Sequence, residues 1–132
     1  MPTLTPDPPC PCGLPARYAG CCGRWHREPM YLQAPTAELL MRSRYVAYAL
    51  ELGQYLQDTW HPTTRPAEPP HFEPGLRWLG LELKRHVLID ETHASVEFSA
   101  RSKLGGRAHR LVETSRFACV DGRWFYVDGN LS

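Results

Sequence analysis

LRWLGLELKRHVLIDETHASVEFSARSKLGGRAHRLVETSRFACVDGRWFYVD, Leu76 to Asp128, alternates apolar and polar residues along most of its length, which is the period of half-buried β-strands. Turn chemistry cuts it into four strands, about Leu76–Ile89, Ala94–Arg101, Arg107–Val120 and Arg123–Asp128. Gly105-Gly106 and Asp121-Gly122 suit two-residue hairpin loops, whose central residues take positive φ, and Asp90–His93 suits a four-residue loop. Closing the last two hairpins predicts Cys119 opposite Trp124, Phe117 opposite Tyr126, Ser115 opposite Asp128, Leu111 opposite Ala100, and Glu113 opposite Phe98. Closing the first predicts Val87 opposite Val96 and Leu83 opposite Ala100. One face then collects Leu79, Leu81, Leu83, Val87, Ile89, Val96, Phe98, Ala100, Leu111, Phe117, Trp124 and Tyr126. The other collects Glu97, Arg101, Arg110, Thr114 and Arg116, with Phe125 and Val127 as apolar exceptions.

An apolar sheet face needs a cover, and the segment upstream supplies one. Thr36 to Leu52 carries Leu40, Met41, Tyr45, Tyr48, Ala49 and Leu52 at helical spacing, with Thr36 as N-cap, Glu38 in the positive first turn and Gly53 as terminator. Arg42 and Arg44 fall off that stripe, and Gln54–Trp60 suits a further short turn of helix. The thirteen prolines fall mainly between Pro2 and Pro15 and between Pro62 and Pro74, which marks both stretches as loops. The expected class is α+β: an N-terminal segment, residues 1–30, ahead of a domain, 31–132, in which one long helix packs on a curved antiparallel four-stranded meander.

A length of 132 residues suits one main core, and 42% hydrophobic residues exclude wholesale disorder. The net charge of +1 gives no broad basic field, so nucleic acid is not the expected partner. No run approaches the roughly 20 apolar residues of a membrane helix, and Met1–Pro9 has neither a basic nor an apolar leader region. These features predict a cytoplasmic chain with no membrane partner.

In a reducing compartment clustered thiols point to metal rather than to disulfides. Cys10-Pro11-Cys12 and Cys21-Cys22 are two pairs separated by eight residues, enough chain to fold back and offer four thiolates to one tetrahedral ion, for which zinc fits best. Gly13 and Gly20 can supply unusual backbone angles at the ligand turns, and Arg17, Arg24 and Arg27 can offset the negative charge of a four-thiolate zinc site. Two disulfides or free thiols are the competing readings. His26, four residues past Cys22, is either a group packed beside the site or a replacement for one cysteine. Four protein ligands leave no position for water, so the zinc is expected to be structural. Cys119 reads as a small buried hydrophobe.

CPCG…YAGCCG resembles the SEC-C motif, the zinc-binding element also found at the C-terminus of the SecA translocation motor. TAELLMRSRYVAY (Thr36–Tyr48), YLQDTWHPTTRP (Tyr55–Pro66), WLGLE (Trp78–Glu82), VEFSAR (Val96–Arg101), ETSRF and DGRWFYVDG are similar, in order, to the YchJ family. The resemblance implies a cone of the nuclear transport factor 2-like kind, a curved sheet wrapped around helices and a cavity, together with a metal, but no reaction. Leu14-Pro15 stands where Ser-Gly is usual after CPCG, and Arg27 where a glycine commonly follows His26.

Glu113, Ser115 and Asp128 fall on the apolar face, where an unpaired carboxylate costs several kcal/mol. They are expected at the rim of a modest pocket with Trp60, Trp78, Trp124 and Tyr126 as walls, or else in a buried ion-pair network holding helix to sheet, with Arg42 or Arg44 near Glu113 and His61 or Arg65 near Asp128. The reading is a zinc-binding protein acting as an interaction adaptor with a protein partner, ahead of an enzyme or small-molecule binder using the cavity, and of a ribosome- or RNA-associated factor.

Overall fold

The computed structural model describes residues 8–131. Met1–Asp7, most of the segment read above for a leader, lie outside the described residues. A short 3-10 turn, Tyr18–Gly20, and helix α1, Gly23–His26, form the N-terminal lobe. Helices α2, Ala37–Leu50, and α3, Gly53–Asp58, follow, and then strands β1, Arg77–Asp90, β2, His93–Leu104, β3, Arg107–Val120, and β4, Arg123–Leu131. The strands form one antiparallel sheet in the order β1-β2-β3-β4, the expected meander. Among the described residues no helix is long and apolar enough to cross a membrane.

Thr36 caps α2 as expected, its Oγ1 accepting the Leu39 N–H at 3.1 Å. The helix ends earlier than expected. Glu51 takes the left-handed conformation (φ 59°), and the Leu52 N–H returns to the Ala47 carbonyl at 2.8 Å. Gly53 instead opens α3, where a Cβ would stand 3.2 Å from Pro69 Cβ.

Both two-residue turns adopt positive φ at their two central positions, Gly105-Gly106 and Asp121-Gly122, as hairpin twist requires. Cys119 faces Trp124, Phe117 faces Tyr126, Leu111 faces Ala100 and Glu113 faces Phe98, as their turns predict. Register fails at bulges. On β1, irregularities after Trp78, Leu83 and Leu88 set Leu83 opposite Phe98 rather than Ala100, and Val87 opposite Ser95 rather than Val96. Leu79 and Ile89 are consequently 46% and 61% exposed instead of covered. On β4, a bulge at Val127 sets Ser115 opposite Gly129 and Arg116 opposite Asp128, so Asp128 lies on the outer face.

The apolar face of α2 lies against the inner sheet, burying Leu40, Val46, Val96 and Phe117 completely, at roughly 1.5–3 kcal/mol each. Cys10, Cys12, Cys21, Cys22 and Trp25 belong to the same buried cluster, whereas Cys119, expected to be buried, is half-buried outside it. Thr59–His61 runs parallel along β4, with Tyr126 N–H donating to Thr59 O at 2.8 Å and His61 N–H to Tyr126 O at 2.7 Å, covering part of that edge strand.

Candidate functional site

The chain turns back on itself twice to gather its thiols. A bridge between Pro9 and Arg17 and the Cys10 N–H bond to Ala16 O (2.9 Å) close the first loop, with Gly13 at φ 92° inside it. Gly20 has no positive φ, so only the first of the two expected glycine turns uses that freedom. Gly23 is a glycine for another reason: a Cβ there would sit 2.7 Å from the Tyr18 carbonyl oxygen. The result places the sulfurs of Cys10, Cys12, Cys21 and Cys22 all within 4.8 Å of one another, every one of them buried.

This geometry suits one tetrahedral ion. Metal–sulfur bonds of about 2.3 Å require sulfurs about 3.8 Å apart, and Cys12 Sγ and Cys21 Sγ are separated by 3.7 Å. The electrostatics agree. Donation from Cys22 draws Cys12 down to about 5, whereas burial foremost pushes Cys21 up to about 11, and Cys22 is raised by holding its proton toward Cys12 and by burial. Thiols crowded this closely ionise one at a time, and a divalent cation supplies the charge that lets all four do so.

Polar contacts through His26 and Arg42 tie the lobe to α2. His26 shares a 2.7 Å hydrogen bond between Nδ1 and the Tyr18 hydroxyl, and its Nε2 donates to Ser43 O at 2.9 Å. Both ring nitrogens are thus occupied, and His26 stands outside the thiol cluster. Arg42 donates from Nη1 to Cys12 O at 2.8 Å and pairs with Glu38 at 3.1 Å, so it serves the lobe rather than Glu113. Arg24 donates to Cys21 O at 3.1 Å and lies over the Trp25 ring. Arg27 is solvent-exposed.

On the other side of α2 a cavity of about 270 Å³ opens between helix and sheet. Met41, Arg44, Tyr45 and Tyr48 face it from the helix; Trp78, Phe98, Ala100, Leu111 and Phe117 form the apolar sheet wall; Glu113, Ser115 and Tyr126 complete it. Arg44, placed off the apolar stripe by periodicity, is 6% exposed. Its Nη1 donates to Leu56 O (2.7 Å) and Thr59 Oγ1 (2.6 Å), and its guanidinium lies over Tyr126 at 4.4 Å and Trp60 at 5.1 Å. Burial lowers its pKa, partly opposed by the surrounding tyrosines and Glu113. Ser115 Oγ donates to Glu113 Oε2.

Of the pocket residues expected from sequence, Trp78, Glu113, Ser115 and Tyr126 line this cavity, and Arg44 is the arginine that joins Glu113 there. Trp60 sits under the guanidinium with its Nε1 sealed and unpartnered, and Trp124 packs against the core beside Cys119. Arg65 caps the carbonyls of Trp60 (2.9 Å) and Asp58 (3.4 Å). His61 bonds Thr63 and meets the Phe125 ring. Asp128 lies near His61, the two lining one shallow recess, but on the exposed face, where it accepts from Arg116 at 2.6 Å because the β4 bulge turned it outward.

The profile described as "YchJ, middle NTF2-like domain" matches residues 36–129. A UPF0225 protein of Bordetella pertussis is 53% identical over 122 residues, covering 92% of each chain, and one of Methylibium petroleiphilum is 58% identical over 125 residues, covering 93% of this chain and 88% of its own. The solution structure of a SEC-C motif containing protein from Rhodopseudomonas palustris superposes with a TM-score of 0.79 at 30% identity, over 93% of this chain and 98% of its own. The crystal structure of a SEC-C motif containing protein from Psychrobacter arcticus gives 0.74 at 27% identity, over 93% and 82%. A matching domain profile, relatives alike over nearly the whole length and a buried thiol cluster ahead of a cone-like helix and sheet lead to one assignment: the chain belongs to the YchJ (UPF0225) family.

Proposed function

We propose that this protein is a cytoplasmic zinc-binding protein whose cone cavity takes up a small molecule, the metal being structural. Zinc held by Cys10, Cys12, Cys21 and Cys22 would neutralise the crowded thiolates and cross-link the two halves of the lobe. The lobe grips α2 through His26 and Arg42, and α2 carries Arg44 into the cavity. The observation that carries the reading is Arg44 itself. Arginine is almost never fully buried without a charged partner, yet among the described residues no carboxylate lies within 4.0 Å of it.

The adaptor reading needs an apolar docking surface on the lobe. There the cysteines and Trp25 are buried, and Met30, 45% exposed, is the one large hydrophobic residue of the described lobe that is exposed. Small-molecule binding therefore moves ahead of it. The test is a fragment screen on isotope-labelled, zinc-loaded protein followed by amide chemical shifts. Fragments should move resonances of α2 and of the inner sheet around Trp78 and Glu113, and Ala100→Leu, which fills the cavity, should abolish the shifts. A screen in which no fragment moves those resonances would overturn the reading.

A further inference from the structure

Resting on the cavity reading above, the question becomes what chemistry the cavity accepts. Among the described residues its walls hold one cation, Arg44, and one carboxylate, Glu113, and the two do not form an ion pair. Arg44 spends only Nη1 on protein acceptors among the described residues. Its remaining N–H groups are not sealed, since the single occluded side-chain polar atom lacking a partner among the described residues is Trp60 Nε1. Arg44 lines the cavity, and its guanidinium is held against the rings of Tyr126 and Trp60.

Glu113 is set just as firmly. Ser115 holds Oε2, leaving Oε1 for another donor, and Gly129 leaves the room the carboxylate occupies, for a Cβ there would stand 2.5 Å from Oε2. The site thus presents a fixed donor and a fixed acceptor of opposite charge, apart from each other, over an aromatic surface that includes Tyr45, Trp78 and Phe98.

A ligand bearing only a carboxylate would answer Arg44 and confront Glu113; one bearing only an ammonium would do the reverse. A zwitterion satisfies both and keeps the enclosed charge balanced, which matters most where water is scarce. At about 270 Å³ the cavity is at or just below the small end of ligand pockets, about 300 Å³, which admits a single amino-acid-sized molecule and not a dinucleotide. We infer that the cavity binds a small zwitterion of the α-amino-acid type, its carboxylate on Arg44, its ammonium on Glu113 and an aromatic or large apolar side chain against the sheet wall.

Phenylalanine, hydrocinnamate and phenethylamine share a ring and differ in which charges they carry, so calorimetric titration of each into the zinc-loaded full chain isolates the charge requirement. Phenylalanine should bind at least about tenfold more tightly than either analogue. Glu113→Gln should bring phenylalanine down to the level of hydrocinnamate, and Arg44→Lys should weaken both. Should Arg44→Lys fail to fold, Glu113→Gln decides the matter alone. Hydrocinnamate or phenethylamine matching phenylalanine in the wild-type protein would overturn the zwitterion assignment while leaving the cavity reading intact. Binding of none of the three, with fragments still shifting cavity resonances, would overturn it in the same way; if the fragments fail too, the cavity reading falls with it.

Discussion

Replacing His26 with glutamine asks whether this ring latches the lobe to the helix or ligates the metal. A backbone carbonyl only accepts, so Nε2 carries the proton toward Ser43 O and Nδ1 accepts from the Tyr18 hydroxyl. Burial, with a smaller push from Arg27, holds the His26 pKa below its ordinary 6.5. The unfolded chain takes up a proton near that value and the folded chain only at lower pH. Between the two, the unfolded state binds one more proton, so stability falls as pH drops through the window by about 1.4 kcal/mol per pH unit, and is fully present above it. Near neutrality, glutamine can keep a donor to Ser43 O but loses the partnership with Tyr18 and the edge contact with the Tyr55 ring at 4.6 Å. One hydrogen bond of about 1 kcal/mol and an aromatic contact of about 0.5–1.5 kcal/mol put the loss at about 1–3 kcal/mol. Urea denaturation of zinc-loaded protein, followed by tryptophan fluorescence across the acid limb with the metal counted in each sample, reads both quantities. The wild type should lose stability more steeply below about pH 6.5, the two curves converging, with one zinc per chain in both. Parallel curves would refute the latch, and loss of zinc from the variant would make His26 a ligand.

Gly23→Ala drives a methyl group into the Tyr18 carbonyl, a backbone atom that cannot swing aside, and should cost about 1–3 kcal/mol while hastening loss of zinc to a chelator and sparing the amide resonances of the far sheet. Gly129→Ala must displace the Glu113 carboxylate and should weaken phenylalanine binding more than it weakens hydrocinnamate binding, as a calorimetric comparison would read. Asp128→Asn removes a solvent-screened surface pair with Arg116, and the denaturation midpoint should stay unchanged at low and high salt; a large drop would place Asp128 back against the core.

The sheet was legible in the sequence wherever a turn residue constrained the backbone. Gly105-Gly106 and Asp121-Gly122 specify their hairpins because few other residues tolerate positive φ, and the pairs nearest those turns have the expected partners. Error entered with the bulges at Leu79, Lys84, Ile89 and Val127, none of which interrupts the local alternation in a way that marks an extra residue. The bulge at Val127 alone moved Asp128 from the cavity to the surface. The thiol cluster was legible because its spacing is local. Arg44 was legible only as one of two candidates to stand near Glu113, since periodicity sends an arginine to solvent; only the assembled fold brings Leu56 O, Thr59, Trp60 and Tyr126 around it. The latch role of His26 was hidden for the same reason, its partner Ser43 lying 17 residues away.

Native mass spectrometry of freshly purified, reduced protein, with thiol alkylation before and after chelation, bears most directly on a structural zinc in the lobe. One zinc per chain is predicted, with Cys10, Cys12, Cys21 and Cys22 resisting alkylation until the metal is stripped and Cys21→Ser losing it. A metal-free chain whose four thiols react at once, or one whose mass shows two disulfides among them, would contradict that assignment.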